Sequence, residues 1–395
     1  MKKNIYCVVL GGYVNSYNII KELYNNKVKN IAVIDNTNNI ARFSNKIKYF
    51  KKSKYTNIDL EKAIVKLKKN TNSDYLIIYP TSDEHIEILH NIFENIKSFC
   101  YIPFNNLNIK KNSDKFVQYN FCKKHNIPYP KSVKLTTTKE LAHLKKLKFP
   151  IIIKPTFSKD RKKKVFRALQ INNSEELTLN KCKIKNKLNN NIHFIASEYI
   201  PGDDTNIYSY IGFRSKNKKI LNEWHGKKLN QYPNNFGNFS SASNECPDIV
   251  LEQGRTLLTV MDLEGIAQPE FKYDARDKKY KLTEINLRSM MWHGLGHNIG
   301  IDLHYTQYLD AQNIKVNPKK ETHKNNTKIH FVYFAHEFSN LIFRKNYWKN
   351  FKYNLFSSNK VKFAIFDKTD LFPFLYSLKF LILILLKGIK DKLIK

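Results

Sequence analysis

The chain has 395 residues, 42% of them hydrophobic, with 23 Tyr and 26 Phe; that is too much apolar material for a disordered chain and enough for two or three domains. Lys and Arg number 68 against 34 Asp and Glu, a net charge of +34. The five cysteines are odd in number and none are closely spaced, which argues against a disulfide framework or a cysteine zinc site and fits a reducing cytoplasm.

A basic chain suits a nucleic-acid or anionic-membrane partner. Here the lysines run through the whole chain instead of forming one stripe, and Lys, Asn, Ile, Tyr and Phe are all abundant. Compositional drift of an A/T-rich genome is the better account, and no nucleic-acid partner is expected.

The start, MKKNIYCVVLGGYVNS, has a basic tip, but its apolar run is short and stops at Gly11-Gly12, which reads as a first strand and not as a signal peptide. VNSYNIIKELYNN has helical spacing, KNIAVIDN is a second strand ending in Asp35, and SDYLIIYP is a further strand followed by the helix TSDEHIEILHNIF. Alternating strands and helices predict a parallel-sheet, Rossmann-like α/β domain over residues 1–110. Its ligand loops would be Gly11, Gly12 and the Thr81–Glu84 turn, at the carboxyl ends of strands.

Further on, SDKFVQYNFCKKHN (113–126) opens a helix with Ser113-Asp114. FPIIIKP is a short buried strand carrying Lys154, and HFIASEYIPGDD is another, ending in Glu198. QPEFKYD (268–274) and YKLTEINLR (280–288) read as an antiparallel hairpin around ARDKK. Past residue 316 the pattern changes to the polar linker NPKKETHKNNTK, and residues 317–395 are read as a carboxyl-terminal extension with a terminal apolar helix.

In the hairpin, Glu284, Asn286 and Arg288 alternate with Ile285 and Leu287, so one face is apolar and the other carries an acid, an amide and a guanidinium. If Asp274 faces Tyr280, then Glu270 faces Glu284. Like charges directly opposite destabilise a sheet, so a cation is expected between them. Oxygen ligands from Glu270, Glu284 and Asn286 suit Mg²⁺, and such sites usually complete the shell with phosphate. A solvated outer face is the alternative. Lys115 and Lys154, at element boundaries, are the candidate phosphate-binding cations.

NSDKF (112–116), FPIIIKP (149–155), SEYIPGDD (197–204), PEFKYD (269–274) and LTEINLR (282–288), in this order and spacing, resemble the ATP-grasp superfamily. LIIYPTSDE and GKKLNQYP (226–233) resemble its carboxylate–amine ligases similar to D-aspartate ligase. The resemblance covers residues 1–316 and implies a two-lobed ATP-grasp domain at 111–316 with a hinge near 197–202. It implies that Lys115 and Lys154 hold nucleotide phosphate and that the backbone of Glu198, Tyr199 and Ile200 meets adenine. Asp204 would lie near ribose, and Glu270, Glu284 and Asn286 would bind Mg²⁺, with Mn²⁺ as a substitute. Arg288 would steady the transferring phosphoryl group, and Lys228 would face phosphate or substrate. One departure stands out: the family covers the phosphates with a Gly-rich loop, and residues 156–170 contain no glycine.

The resemblance implies an ATP-dependent ligase that makes an acyl-phosphate and then an amide, with small-molecule carboxylate and amine substrates. The alternatives are a non-catalytic ATP-binding protein, an ATP-dependent carboxylase and, more distantly, a basic nucleic-acid-binding protein. The 156–170 loop would be the lid. His293 and His297 are candidate bases or packing residues, and Gly294 and Gly296 argue against a helix there. Leu371 to Leu386 is apolar with lysines after it, short of the ~20 residues that span a bilayer. A buried terminal helix is expected, in a cytoplasmic protein; one lying on an anionic membrane through 371–395 and a true span are the alternatives.

Overall fold

The computed structural model describes residues 3–156, 165–234, 237–320 and 327–393. Residues 157–164, in the segment read as a lid, lie outside the described residues.

The first sheet is parallel. Strands β1 (Ile5–Leu10), β2 (Ile31–Asp35), β3 (Tyr49–Lys52), β4 (Tyr75–Tyr79) and β5 (Cys100–Tyr101) lie in the order β3-β2-β1-β4-β5. Side chains alternate across the sheet. Val8, Leu10, Ala32 and Ile34 enter one core with Leu60, Ile64 and Leu89; Cys7, Val9, Ile31 and Val33 enter another with Ile19, Ile20 and Leu23. Covering both faces is what makes these strands read as unbroken apolar runs. The strand order reverses direction at β1 and β4, so the loops after them border the crevice where such sheets bind ligands. Those loops are Gly11-Gly12 and the turn leading into the helix Asp83–Asn91, which Ser82 caps by accepting from His85 N.

The second sheet has four strands in the order β6-β9-β7-β8: β6 (Ser132–Leu135), β7 (Ile151–Pro155), β8 (Leu169–Ile171) and β9 (Phe194–Glu198). The third is built from β10 (Ile207–Arg214), β11 (Ile220–Tyr232), β12 (Asn238–Ser243), β13 (Gly265–Asp274) and β14 (Lys279–Asn286), in the order β14-β13-β10-β11-β12. The chain crosses from the second sheet to the third just after Glu198.

The segment beyond residue 316 adds strands to this sheet. β15 (Lys319–Lys320), within the stretch read as a polar linker, pairs with β11. β16 (Ile329–Val332) extends the sheet past β12, and β17 (Lys360–Phe363) pairs with β16. The fully buried Glu337 locks the junction. It accepts from Ser240 and Ser241 of β12, from Tyr347 and from Asn354. A buried carboxylate needs that many donors to offset its lost hydration. The last helix, Leu371–Leu393, runs back onto the amino-terminal domain.

Candidate active site

β13 and β14 form the expected hairpin, and Glu270 stands opposite Glu284, with Pro269 opposite Ile285 and Gln268 opposite Asn286. Nearer the turn the register differs by one residue: Tyr280 faces Tyr273 and Lys279 faces Asp274. The straight ladder expected from the sequence is therefore corrected by a bulge beside Glu270, where Thr283 Oγ1 donates to Glu270 O at 3.0 Å. Without that extra residue Thr283, not Glu284, would face Glu270. Bulges re-aim side chains in this way next to functional sites. Asp274 is used differently. It accepts from Arg276, which holds its carboxyl well below the usual range, and from Lys281, so it anchors the turn.

Each of the two facing acids meets a lysine from a different element. Lys228 Nζ on β11 donates to Glu270 Oε2 at 2.6 Å, and Lys115 Nζ donates to Glu284 Oε2 at 2.5 Å. Lys115 opens the helix Lys115–Lys124, fixed by Asp114 accepting from Phe116 N. The Lys115 ammonium holds Glu284 well below the usual carboxylate range against the effect of burial, with Lys154 and Lys228 adding to it. Lys154, near the end of β7, faces the same cluster. Burial pushes it down to about 8, with Glu284 opposing and Lys115 reinforcing the shift. Three elements thus bring ammonium groups to one acidic pair.

Asn286 completes the face. It is buried, and its Nδ2 has no hydrogen-bond partner. An orphaned buried amide is costly. The two ends of an amide are nearly interchangeable in shape, so the same space can be met by its oxygen. Among the described residues no group of three His, Cys, Asp or Glu could hold a metal. Two carboxylates and one amide oxygen do fit Mg²⁺ that takes its remaining ligands from phosphate.

Arg288, just past the end of β14, reaches the amino-terminal domain. Its Nε donates to Asp83 Oδ1 at 2.6 Å, in the Thr81–Glu84 turn that the sequence marked. The neighbouring Ser289 is clamped harder. Its Oγ lies 2.9 Å from His304 Nε2, and His304 Nδ1 lies 2.6 Å from Glu22 Oε2. Asn15 Nδ2 donates to both Thr81 O and Ser289 O. All of Glu22, Ser289 and His304 are buried. Sequence reasoning missed this relay, because its members are brought together only by the packing of two domains.

His293 and His297 turn away from reaction chemistry. His293 Nδ1 accepts from Met290 N, so its proton sits on Nε2, which donates to Gln268 Oε1 at 2.7 Å. Burial holds it neutral, well below the ordinary histidine range. His297 pairs with Asp302 and Asn25. The expectation of no helix there is corrected: Gly294–Asn298 is a short one. The glycines are set by crowding, since a Cβ would come within 2.7 Å of Asn18 at Gly294 and of Trp224 at Gly296. Burial also pushes His85 to about 3 and His336 to about 4. Each of these three buried histidines has a folded value below its unfolded one. Stability is therefore full above about pH 6.5 and falls with pH by roughly 1.4 kcal/mol per unit per histidine. Thermal melts from pH 7 to 5 should show Tm dropping steeply, and less steeply in His336→Gln.

At the crossing between sheets, Glu198 Oε1 accepts from Lys148 N, Tyr199 N donates to Pro150 O, and Tyr199 O accepts from Arg276. Ile200 is buried. Asp204 is also buried. Its Oδ2 accepts from Gln231 N at 3.1 Å and lies 3.7 Å from Arg344, so its carboxylate is tied to β11.

No family model matches the chain. It is 25% identical over 243 residues to the D-aspartate ligase of Enterococcus faecium (strain Aus0004), covering 57% of each chain, so it spans just over half the length of this curated relative. It superposes on N5-carboxyaminoimidazole ribonucleotide synthetase in its ADP complex with TM-score 0.63 and 15% identity, over 87% of this chain and 86% of that one. The biotin carboxylase domain of 2-oxoglutarate carboxylase from Hydrogenobacter thermophilus, crystallised with MgADP, ADP and bicarbonate, gives TM-score 0.63 and 15% identity over 80% and 71%. The chain has the ATP-grasp fold.

Proposed function

We propose that the chain is an ATP-dependent carboxylate–amine ligase. The observation that carries this reading is the Glu270–Glu284 pair, placed face to face by a bulge and met by Lys115, Lys228 and Lys154. Such an arrangement stabilises triphosphate and the charge that moves when a phosphoryl group is transferred.

Residues 1–110 are read as the amino-terminal domain, 111–316 as the ATP-grasp domain hinged near 197–202, and 317–395 as the extension. Lys115 and Lys154 bind phosphate oxygens. The backbone at Glu198, Tyr199 and Ile200 receives adenine, and Asp204 shapes the ribose end. Glu270, Glu284 and Asn286 would hold Mg²⁺, or Mn²⁺ in its place, which neutralises phosphate charge when bound. A substrate carboxylate oxygen attacks the γ-phosphorus and the bond to the bridging oxygen breaks, releasing ADP. Arg288 balances charge on the phosphoryl group during this step, and Lys228 faces the phosphate or the substrate. The amine nitrogen then attacks the acyl carbon, the carbon–oxygen bond to phosphate breaks, and the proton lost from nitrogen passes to the departing phosphate as the amide forms. Asp83 steadies Arg288 while the reactive acyl-phosphate exists. Among the described residues no helix is long and apolar enough to cross a membrane. We place the enzyme in the cytoplasm, in peripheral contact with a membrane through its last helix.

The test is phosphate release from ATP across a panel of amino acids and acidic sugars, with mass spectrometry of the products. An amide that forms only when an amine is present supports the ligase. Phosphate release that depends on bicarbonate and gives a carboxylated product makes it a carboxylase, and ATP binding without turnover makes it a non-catalytic binder.

Lys154→Met should weaken ATP binding about 10- to 100-fold, the worth of one charge-assisted contact. Lys145→Met, an exposed lysine of the same lobe, should change it less than about twofold. Calorimetric titration separates the two, and equal effects would mean that diffuse positive charge holds the nucleotide.

A further inference from the structure

The helix Leu371–Leu393 has two faces with different partners. Phe374, Tyr376, Phe380 and Leu381 pack on the central core. Tyr376 stacks on Phe43 with centroids 4.1 Å apart and donates to Asn38 O at 2.8 Å. The opposite face carries Leu371, Phe372, Leu375, Ile382, Leu383 and Leu386, exposed by 47%, 68%, 54%, 56%, 51% and 59%. At about 100° per residue these six fall in one stripe about 120° wide. Single exposed apolar residues are ordinary, but a continuous stripe over four turns marks an interaction surface.

Charge identifies what the stripe meets. Residues 343–395 contain 12 Lys and Arg and three Asp. Two of the acids are consumed in the joint to the amino-terminal domain. Asp370 accepts from Tyr17, Ser44 and Asn45, and Asp367 lies 3.4 Å from Lys46. The rest of this segment is strongly basic, with Lys379 on the helix and Lys387, Lys390 and Lys392 following the stripe in the sequence. Lys379 lies within it, its ammonium 5.8 Å from the Tyr376 ring centroid, and its long stem lets the charge rise to a polar layer while the chain beneath stays apolar. A second copy presenting the same face would bring like charges together, and a nucleic acid has no use for the leucines. An anionic bilayer answers both features. The inner face is already committed to protein, so the helix lies in the surface and does not span.

We propose that this helix seats the protein on an anionic lipid surface, in the plane of the interface, through the stripe from Leu371 to Leu386. The inference does not depend on the ligase reading.

The experiment is flotation of the full chain with vesicles of phosphatidylcholine alone and of phosphatidylcholine with phosphatidylglycerol, at low and raised salt. The full chain should float with the anionic vesicles, less so at raised salt. The double variant Phe372→Glu/Leu383→Glu should lose roughly tenfold or more of that partition, with unchanged ATP affinity and Tm. Should the double variant lose its fold, Lys379→Glu on the same stripe provides the test, with a several-fold loss expected from charge alone. A chain that stays down with both vesicles overturns the proposal, as do variants that float like the original. A concentration-dependent dimer that these substitutions dissociate without lipid also overturns it, assigning the stripe to a second copy.

Discussion

On the ligase reading, Glu284→Gln should lower the rate of ATP-dependent amide formation by about 100- to 1,000-fold, the range that loss of one electrostatic stabiliser produces in an active site. The amide has the same shape as the carboxylate, so β14 keeps its ladder and the bulge at Thr283 keeps its bond to Glu270. What disappears is the negative charge that Lys115 and Lys154 now face, and with it the stronger oxygen donor for a hard cation. Activity measured against Mg²⁺ concentration should show a higher metal requirement as well as a lower ceiling. Asp274→Asn, four residues from Glu270 on the same strand, should behave oppositely. It breaks the contacts to Arg276 and Lys281 and so lowers Tm with little effect on the rate. If Glu284→Gln turns over within about threefold of the original enzyme, the metal-ligand assignment is wrong.

Arg288→Lys keeps the charge and loses the fork. The expected result is a fall in kcat of about 100-fold, with ATP affinity changed less than about threefold. The reason is geometric: a guanidinium can bond Asp83 through Nε and still offer its other nitrogens to a phosphoryl group, whereas an ammonium is a single point. On the same reading, the Nε contact to Asp83 at 2.6 Å would make that acid a positioning residue. Asp83→Asn should cost about tenfold in kcat and leave ATP affinity alone, because the guanidinium stays but is held less firmly. Single-turnover measurements of ADP formation locate the defect. A loss of nucleotide affinity equal to the loss of rate would place Arg288 among the ground-state phosphate contacts instead.

Much of this arrangement was legible because it is local. Strand period alone put Glu284, Asn286 and Arg288 on one face, and apolar runs broken by Gly11-Gly12 and by the Thr81–Glu84 turn gave a parallel sheet with its ligand loops. The opposition of Glu270 and Glu284 was also anticipated, but from a straight ladder that the hairpin does not have. The bulge depends on one residue's displacement, which no alternation pattern records. Lys115, Lys154 and Lys228 could not be singled out from 68 basic residues by charge; position at element ends and a family likeness selected them. The Glu22–His304–Ser289 relay left no signal, since Glu22 lies 282 residues from His304 and meets it only when the two domains pack.

The last helix shows the same division. Composition determined that residues 371–386 would be apolar and helical, because a run of Leu, Ile and Phe must leave water and no breaker interrupts it beyond Pro373 in its first turn. Composition could not determine which side would be covered. Tertiary structure decided that, by bringing Phe43 and Asn38 of the amino-terminal domain against Tyr376 and turning Asp367 and Asp370 inward. A sequence states how much apolar surface must be buried; where it is buried depends on contacts between segments hundreds of residues apart, and those exist only once the chain has folded.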